Sequence, residues 1–162
     1  MVRLEETIEV NAPVERCFDL ARSIEVHVLG NVHFGENALA VGDVNSGLIR
    51  MGQTVAWRAK HFWTWQTLIS RMTAFNRPVF FEDTMLRGAF ESMRHEHFFR
   101  SLPDARTEMK DVLYFSAPLG VLGRVAEIVV LRRYMGNLLH ERNVVLKQVA
   151  ESDEWRKYLP AD

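Results

Sequence analysis

IEVNAPVERCFDLARS, Ile8 to Ser23, decides the fold, because within it the chain passes from a strand pattern to a helical one. Just upstream, Arg3 to Val10 alternates imperfectly, with Leu4, Thr7 and Val10 broken by Glu5, Glu6 and Glu9, which predicts a first strand. Asn-Ala-Pro ends it. Asn11 can serve as a cap and Pro13 sits where early helix positions tolerate proline, so Val14 to Arg22 is expected as a short helix with Val14, Cys17, Phe18 and Ala21 facing inward. A second short helix is expected from about Ser23 to Leu29.

Working outward, Gly30 to Gly52 is rich in glycine and asparagine, which predicts turns around one weak strand near Asn37 to Val41. Thr54 to Trp63, Trp65 to Phe75, Val79 to Arg87, Glu91 to Ser101 and Arg106 to Ala117 are each rich in β-branched or aromatic residues. They are punctuated at Asn76-Arg77-Pro78, Gly88-Ala89 and Pro103-Asp104. Consecutive strands with short connections imply an antiparallel meander.

After Pro118 the period changes. Val121, Val125, Ile128, Met135, Leu139, Leu146 and Val149 fall three, four or seven residues apart, one face of a long helix from about Leu119 to Val149. At ~1.5 Å per residue it would be on the order of 45 Å long, enough to cross a domain of this size. Charged Arg132 falls within the apolar face, and Gly136 sits mid-helix, where glycine costs roughly 1 kcal/mol relative to alanine. Gly136 reads either as close packing on a sheet or as room left for a ligand. The closing ESDEWRKYLPAD is polar, so residues 1–150 are expected as one domain and 151–162 as a loosely held tail.

Composition limits the function classes. The chain has 162 residues, enough for one domain with a sizeable core, and its 20 basic side chains balance 21 acidic ones, which suggests neither a nucleic-acid nor an anionic-membrane partner. Cys17 is the only cysteine, so no intrachain disulfide or zinc-finger spacing is possible and a reducing compartment is expected. MVRLEETIEV carries charge where a signal peptide needs an apolar core, and no apolar run approaches the roughly 18 residues that span a bilayer. A cytoplasmic protein is the expectation.

Strand, two short helices, about six further strands and one long C-terminal helix form a specific α+β order, because a curved antiparallel sheet must cover its apolar face. IEVNAPVERCFDLARS, followed by GQTVAWRAKHF, LISRM, FFEDTMLRGAFESMRHEHFF, TEMKDVLYFSAPLG and the long helix, resembles the START-like or SRPBCC superfamily over about Glu5 to Val149. The resemblance implies the helix-grip fold, a curved antiparallel sheet of six or seven strands wrapped on the C-terminal helix. It also implies a small hydrophobic or aromatic ligand, lipid- or polyketide-like, or else chemistry of the polyketide cyclase or dehydratase kind. The fold hosts enzymes, carriers and regulators alike, so it does not choose among them.

Alternation along each strand sorts side chains into two faces. The expected inner face carries Trp57, His61 and Trp63 on one strand, Met93, His95, His97 and Phe99 on another, and Met109, Asp111 and Phe115 on the last. Asp83 joins them if Phe81 and Met85 point inward. Met135, Gly136 and Leu139 of the long helix face this surface, while Arg58, Lys60, Arg94 and Arg100 belong to a solvated outer face. His27 and His33, placed in the glycine-rich segment, read either as lining a pocket entrance or as exposed loop histidines, the more frequent case.

Three readings of the histidines remain open. They form a satisfied polar network with Asp111 and Asp83, since buried imidazoles and carboxylates are costly unpaired. Alternatively, they are the polar end of a pocket whose walls are Trp, Met and Phe. In the third, a histidine tuned by a carboxylate does acid–base chemistry, with His95, His97 and Asp111 as the candidate catalytic groups. His95, His97, His61 and Asp111 supply metal-type donors, but no further motif fixes a geometry, so no metal and no cofactor is expected. A cavity filled by the protein's own side chains would make the domain an interaction module.

Overall fold

The computed structural model describes residues 1–33, 38–41, 44–61, 64–117 and 130–159. Strand β1 (Val2–Val10) runs into helices α1 (Val14–Ala21) and α2 (Ile24–His33). There follow β2 (Ala38–Val41), β3 (Thr54–His61), β4 (Thr64–Asn76), β5 (Phe80–Arg87), β6 (Ser92–Leu102), β7 (Arg106–Ser116) and helix α3 (Arg132–Glu151). The seven strands form one antiparallel sheet in the order β1-β7-β6-β5-β4-β3-β2, so the first strand closes against the last.

Strand β1 buries Val2 and Val10 at its ends and turns Glu5 and Glu9 outward, while Glu6 faces α3 and bonds His140 and Asn143; Pro13, extended at φ −60° and ψ 148°, turns the chain into α1. The turn is tied to the sheet where Thr107 Oγ1 donates to the Ala12 carbonyl at 2.7 Å. Val14, Cys17 and Phe18 are buried as expected, and Leu20 is fully buried with them, while Ala21 is only half-buried. Phe18 meets Phe75, Phe81 and Phe99 edge-on at ring distances of 5.4, 5.4 and 5.2 Å. This is the packed heart of the domain.

Three expectations change. The second helix continues through Gly30 rather than stopping before it, because α2 packs on α3 there: a Cβ on Gly30 would lie 2.9 Å from Cγ and 3.2 Å from Cα of Arg142. Arg132 is exposed and so stands off the apolar stripe. Close packing, one of the two readings of Gly136, is absent among the described residues, since a Cβ there would meet none of them within 4 Å. The part of the long helix expected over 118–129 lies outside the described residues. Beyond α3, Asp153–Lys157 form a short 3-10 turn, and Trp155, under the Arg16 guanidinium at 4.4 Å, packs with Tyr158 and Leu159 against the core. Among the described residues no helix is long and apolar enough to cross a membrane.

Candidate functional site

Alternation in β6 turns Met93, His95, His97 and Phe99 inward, all four buried. Register then chooses their partners. His97 lies opposite Asp111 on β7 and Phe81 on β5, and His95 lies opposite Leu113 and Asp83. Cross-strand neighbours and their diagonals are within reach of long side chains, so one carboxylate can serve two imidazoles.

Asp111 Oδ1 stands 2.5 Å from His97 Nδ1 and 3.1 Å from His95 Nε2. Asp83 Oδ2 lies 3.8 Å from His97 Nε2. The two imidazole rings sit 3.8 Å apart, and Phe81 stacks on His97 at 4.2 Å. The His95 nitrogen, although close to Asp111, is badly aligned for a directed hydrogen bond and is left without one. It is a buried polar atom with spare capacity.

Electrostatics separate the two histidines. Burial lowers the His97 pKa, but the Asp111 and Asp83 carboxylates outweigh burial and raise it above the ordinary histidine value. Burial and the neighbouring His97 lower that of His95. Burial alone would raise the Asp111 pKa, yet His97 and His95 hold it well below the carboxylate range; Asp83 is lowered in the same way with help from Arg142. The favoured arrangement is an imidazolium at His97 between two carboxylates, beside a neutral His95.

A cavity of about 220 Å³ opens beside this cluster, between α2, α3 and strands β3 to β7. Trp57, Leu68, Phe90, Met93, Met135 and Leu139 supply apolar wall, and His27, Asn31, Asp83, His95 and Arg142 bring polar groups to it. Two side voids of about 30 and 20 Å³ reach His97, each large enough for a water molecule. His27 lies flat on Trp57 at 3.8 Å and 16°, and Arg142 Nη2 donates to His27 Nδ1 at 2.7 Å. Trp57 Nε1 donates to Ser70 Oγ at 3.1 Å, which fixes the indole. Burial, with the Arg142 charge next, pushes the His27 pKa well below the ordinary value, so its Nδ1 is a free acceptor for the guanidinium.

Of the residues expected from sequence, Trp57, Asp83, Met93, His95, Met135 and Leu139 stand on the cavity wall. His97 and Asp111 lie just beneath it. Phe99 and Met109 face inward but belong to the packed core under α1, and Phe115 is covered by Phe90 at 5.4 Å; an inner face is therefore not wholly a cavity face. Gly136 is not on the wall. Trp63 and the His61 side chain lie outside the described residues.

Asn31 and Arg142, both on helices, were not expected on the wall, and His27, read as a loop histidine at a pocket entrance or exposed, stands instead on α2 and on the wall. A signal existed: position 142 falls three residues after Leu139 and four before Leu146, inside the gap in the apolar stripe, and His27 and Asn31 follow Ile24 at helical spacing. Asp83, His95 and His97 each bring one donor atom within 4.8 Å of the others, so these three side chains have the reach to hold a cation. The fixed charge of Arg142 and the favoured proton on His97 both oppose one there.

No protein-family model matches the chain, and no curated protein matches it in sequence. Solved structures do match it in fold. A protein from Thermus thermophilus is 13% identical, with 91% of this chain and 95% of that one covered at a TM-score of 0.72. A START superfamily protein from Mycobacterium smegmatis is 14% identical, with 92% and 97% covered and a TM-score of 0.67. A ginseng major latex-like protein from Panax ginseng is 9% identical, with 93% and 98% covered and a TM-score of 0.66. The chain has the START-like helix-grip fold.

Proposed function

We propose that the protein binds a small, mainly apolar molecule of one or two rings in the cavity between the sheet and α3. The observation that carries this reading is the cavity itself, about 220 Å³ of space with apolar walls and a few converging polar groups on one side. A cavity of about 150 Å³ accommodates a benzene ring, whereas drug-sized ligands occupy roughly 300–1,000 Å³. A compact aromatic therefore fits better than a long-chain lipid. Unfilled volume of this size also speaks for a binding site over a module whose interior is filled by its own side chains.

A second reading has one observation in its favour. His95 both lines the cavity and lies 3.1 Å from a carboxylate, and burial favours its neutral, proton-accepting form. In that reading it acts as the acid–base group of a cyclase or dehydratase, with Asp111 as its orienting partner.

The test is ligand retention. Native mass spectrometry of the purified protein, and titration with small aromatics followed by Trp fluorescence, are expected to show one ligand per chain. Leu139→Trp, which fills the cavity, is expected to abolish binding. Binding that survives Leu139→Trp unchanged refutes the site. Turnover of a β-hydroxy ketone that disappears in His95→Gln, while binding persists, would establish the enzymatic reading.

A further inference from the structure

We propose that the cavity is selective for anions, and that its ligands are small aromatic monocarboxylates whose carboxylate is held by Arg142. The inference deepens the binding reading above and rests on it. It is carried by the way the guanidinium is held.

Arg142 reaches into the cavity from the inner stripe of α3, where Gly30 lets the two helix backbones come close. Among the described residues its polar partner is His27 Nδ1 at 2.7 Å. That partner is a neutral acceptor, and it is itself fixed by stacking on Trp57. The guanidinium is thus oriented without being neutralised. Among the described residues neither nearby carboxylate forms an ion pair with Arg142: Asp111 faces His97 and His95 beneath the wall, and Asp83, which also lines the cavity, faces His97 at 3.8 Å. Burial already disfavours the Arg142 charge, with Asp111 and Asp83 offsetting this only from a distance.

A guanidinium offers paired donors that match a carboxylate edge to edge. With one donor directed at His27, the rest of that edge is available to the cavity. A ligand carboxylate would supply the close counter-charge that the fold omits, and the cost of desolvating the cation is already met in the free protein. Asn31, 7% exposed, has an amide Oδ1 without a partner on the same wall. It is a place for a donor and repels a second anionic group, hence one carboxylate rather than two.

Matched pairs test this without any variant: cinnamate against cinnamamide, and 2-naphthoate against 2-naphthamide, each titrated calorimetrically into the wild-type protein near neutral pH. The members of a pair share shape and differ in charge, and the amide N–H groups can satisfy Asn31, so the comparison is biased against the proposal. The carboxylates are expected to bind about 10- to 100-fold more tightly, the usual range for a hydrogen bond to a charged group. Arg142→Gln is expected to remove that preference, so that each carboxylate binds no more tightly than its amide, and Arg142→Lys to keep part of it. His27→Glu, which neutralises Arg142 from within, is expected to remove it with the arginine in place. Amides binding as well as carboxylates to the wild type would overturn the anion selectivity and leave the cavity reading intact. Failure of all four probes to bind would overturn both.

Discussion

The two ends of the space between the sheet and α3 are built from the same kinds of side chain and finish differently. At the α1 end, Phe18 descends onto Phe75, Phe81 and Phe99 and the interior is packed. At the α2 end, Leu68, Met93, Met135 and Leu139 face one another across about 220 Å³ of space. Strand β6 crosses from one regime to the other: Phe99 in the core, His97 at the border, His95 and Met93 on the cavity wall. The polar cluster is therefore the partition between a half that stabilises and a half that binds. Apolar content does not distinguish them; what does is whether a helix inserts a large side chain into the groove.

The largest expected effect breaks the packed half. Phe18→Ala removes a fully buried ring from three aromatic neighbours and is expected to cost about 3–5 kcal/mol. For a domain of this size that lowers the melting temperature by about ten degrees. Leu138→Ala, at the cavity, enlarges space that already exists and is expected to fall at the low end of the roughly 2–5 kcal/mol range for such truncations. Equal losses in calorimetry would mean that the hollow half is as tightly packed as the other.

The partition comes next. Asp111→Asn leaves the His97 imidazolium facing only Asp83, at 3.8 Å. Breaking a buried pair typically costs about 3–5 kcal/mol, and the lower end is expected because His97 can shed its proton. Urea unfolding measures it. A loss below about 0.5 kcal/mol would mean that Asp111 holds nothing in place, since changes of that size are typical of surface sites.

The pH dependence sharpens the difference within the cluster. The raised His97 pKa adds stability that is present below about 6.5 and is lost as pH rises through the folded value. The lowered pKa values of His95 and His27 act oppositely, withdrawing stability as pH falls below about 6.5. The carboxylates of Asp111 and Asp83 withdraw theirs only below their ordinary range, as pH falls through their folded values. Among the described residues, His97→Gln deletes the one opposing slope. Its urea midpoint is therefore expected to fall more steeply than that of the wild type between pH 8 and 5, and parallel curves would show that folding leaves the His97 pKa where it is in the unfolded chain.

Strand alternation made the sheet and its inner residues legible, because a period of two has only two faces and lysine, arginine and glutamate identify the outer one. The pairing of His97 with Asp111 followed from strand order and register, once the turn at Asp104 and Ala105, with φ of 61° and 53°, set β6 against β7. Which inner residues meet space and which meet Phe18 was not legible, since it depends on where α1 and α2 lie along the groove. Arg142 was hidden for another reason: α3 carries arginine at 132, 133 and 142, and an inward arginine differs from an outward one only by its phase. The phase was present in the sequence, but charge argued against reading it.

The smallest expected effects test that phase, with one substitution at two glycines. Alanine is favoured over glycine in a helix by roughly 0.5–1 kcal/mol. At Gly136 a Cβ meets none of the described residues within 4 Å, so Gly136→Ala is expected to stabilise by about that amount. At Gly30 the same Cβ would lie 2.9 Å from Cγ of Arg142 and 3.2 Å from its Cα. A backbone atom in a packed helix yields little, and overpacking costs typically 1–3 kcal/mol, so Gly30→Ala is expected to lose about 1 kcal/mol net. Opposite signs in the urea midpoints would show that α3 is pressed against α2 at Arg142 and free of neighbours a turn and a half earlier. Stabilisation by both alanines would mean that α2 and α3 separate at little cost, and the contact at Gly30 would then not be what fixes the guanidinium at the cavity wall.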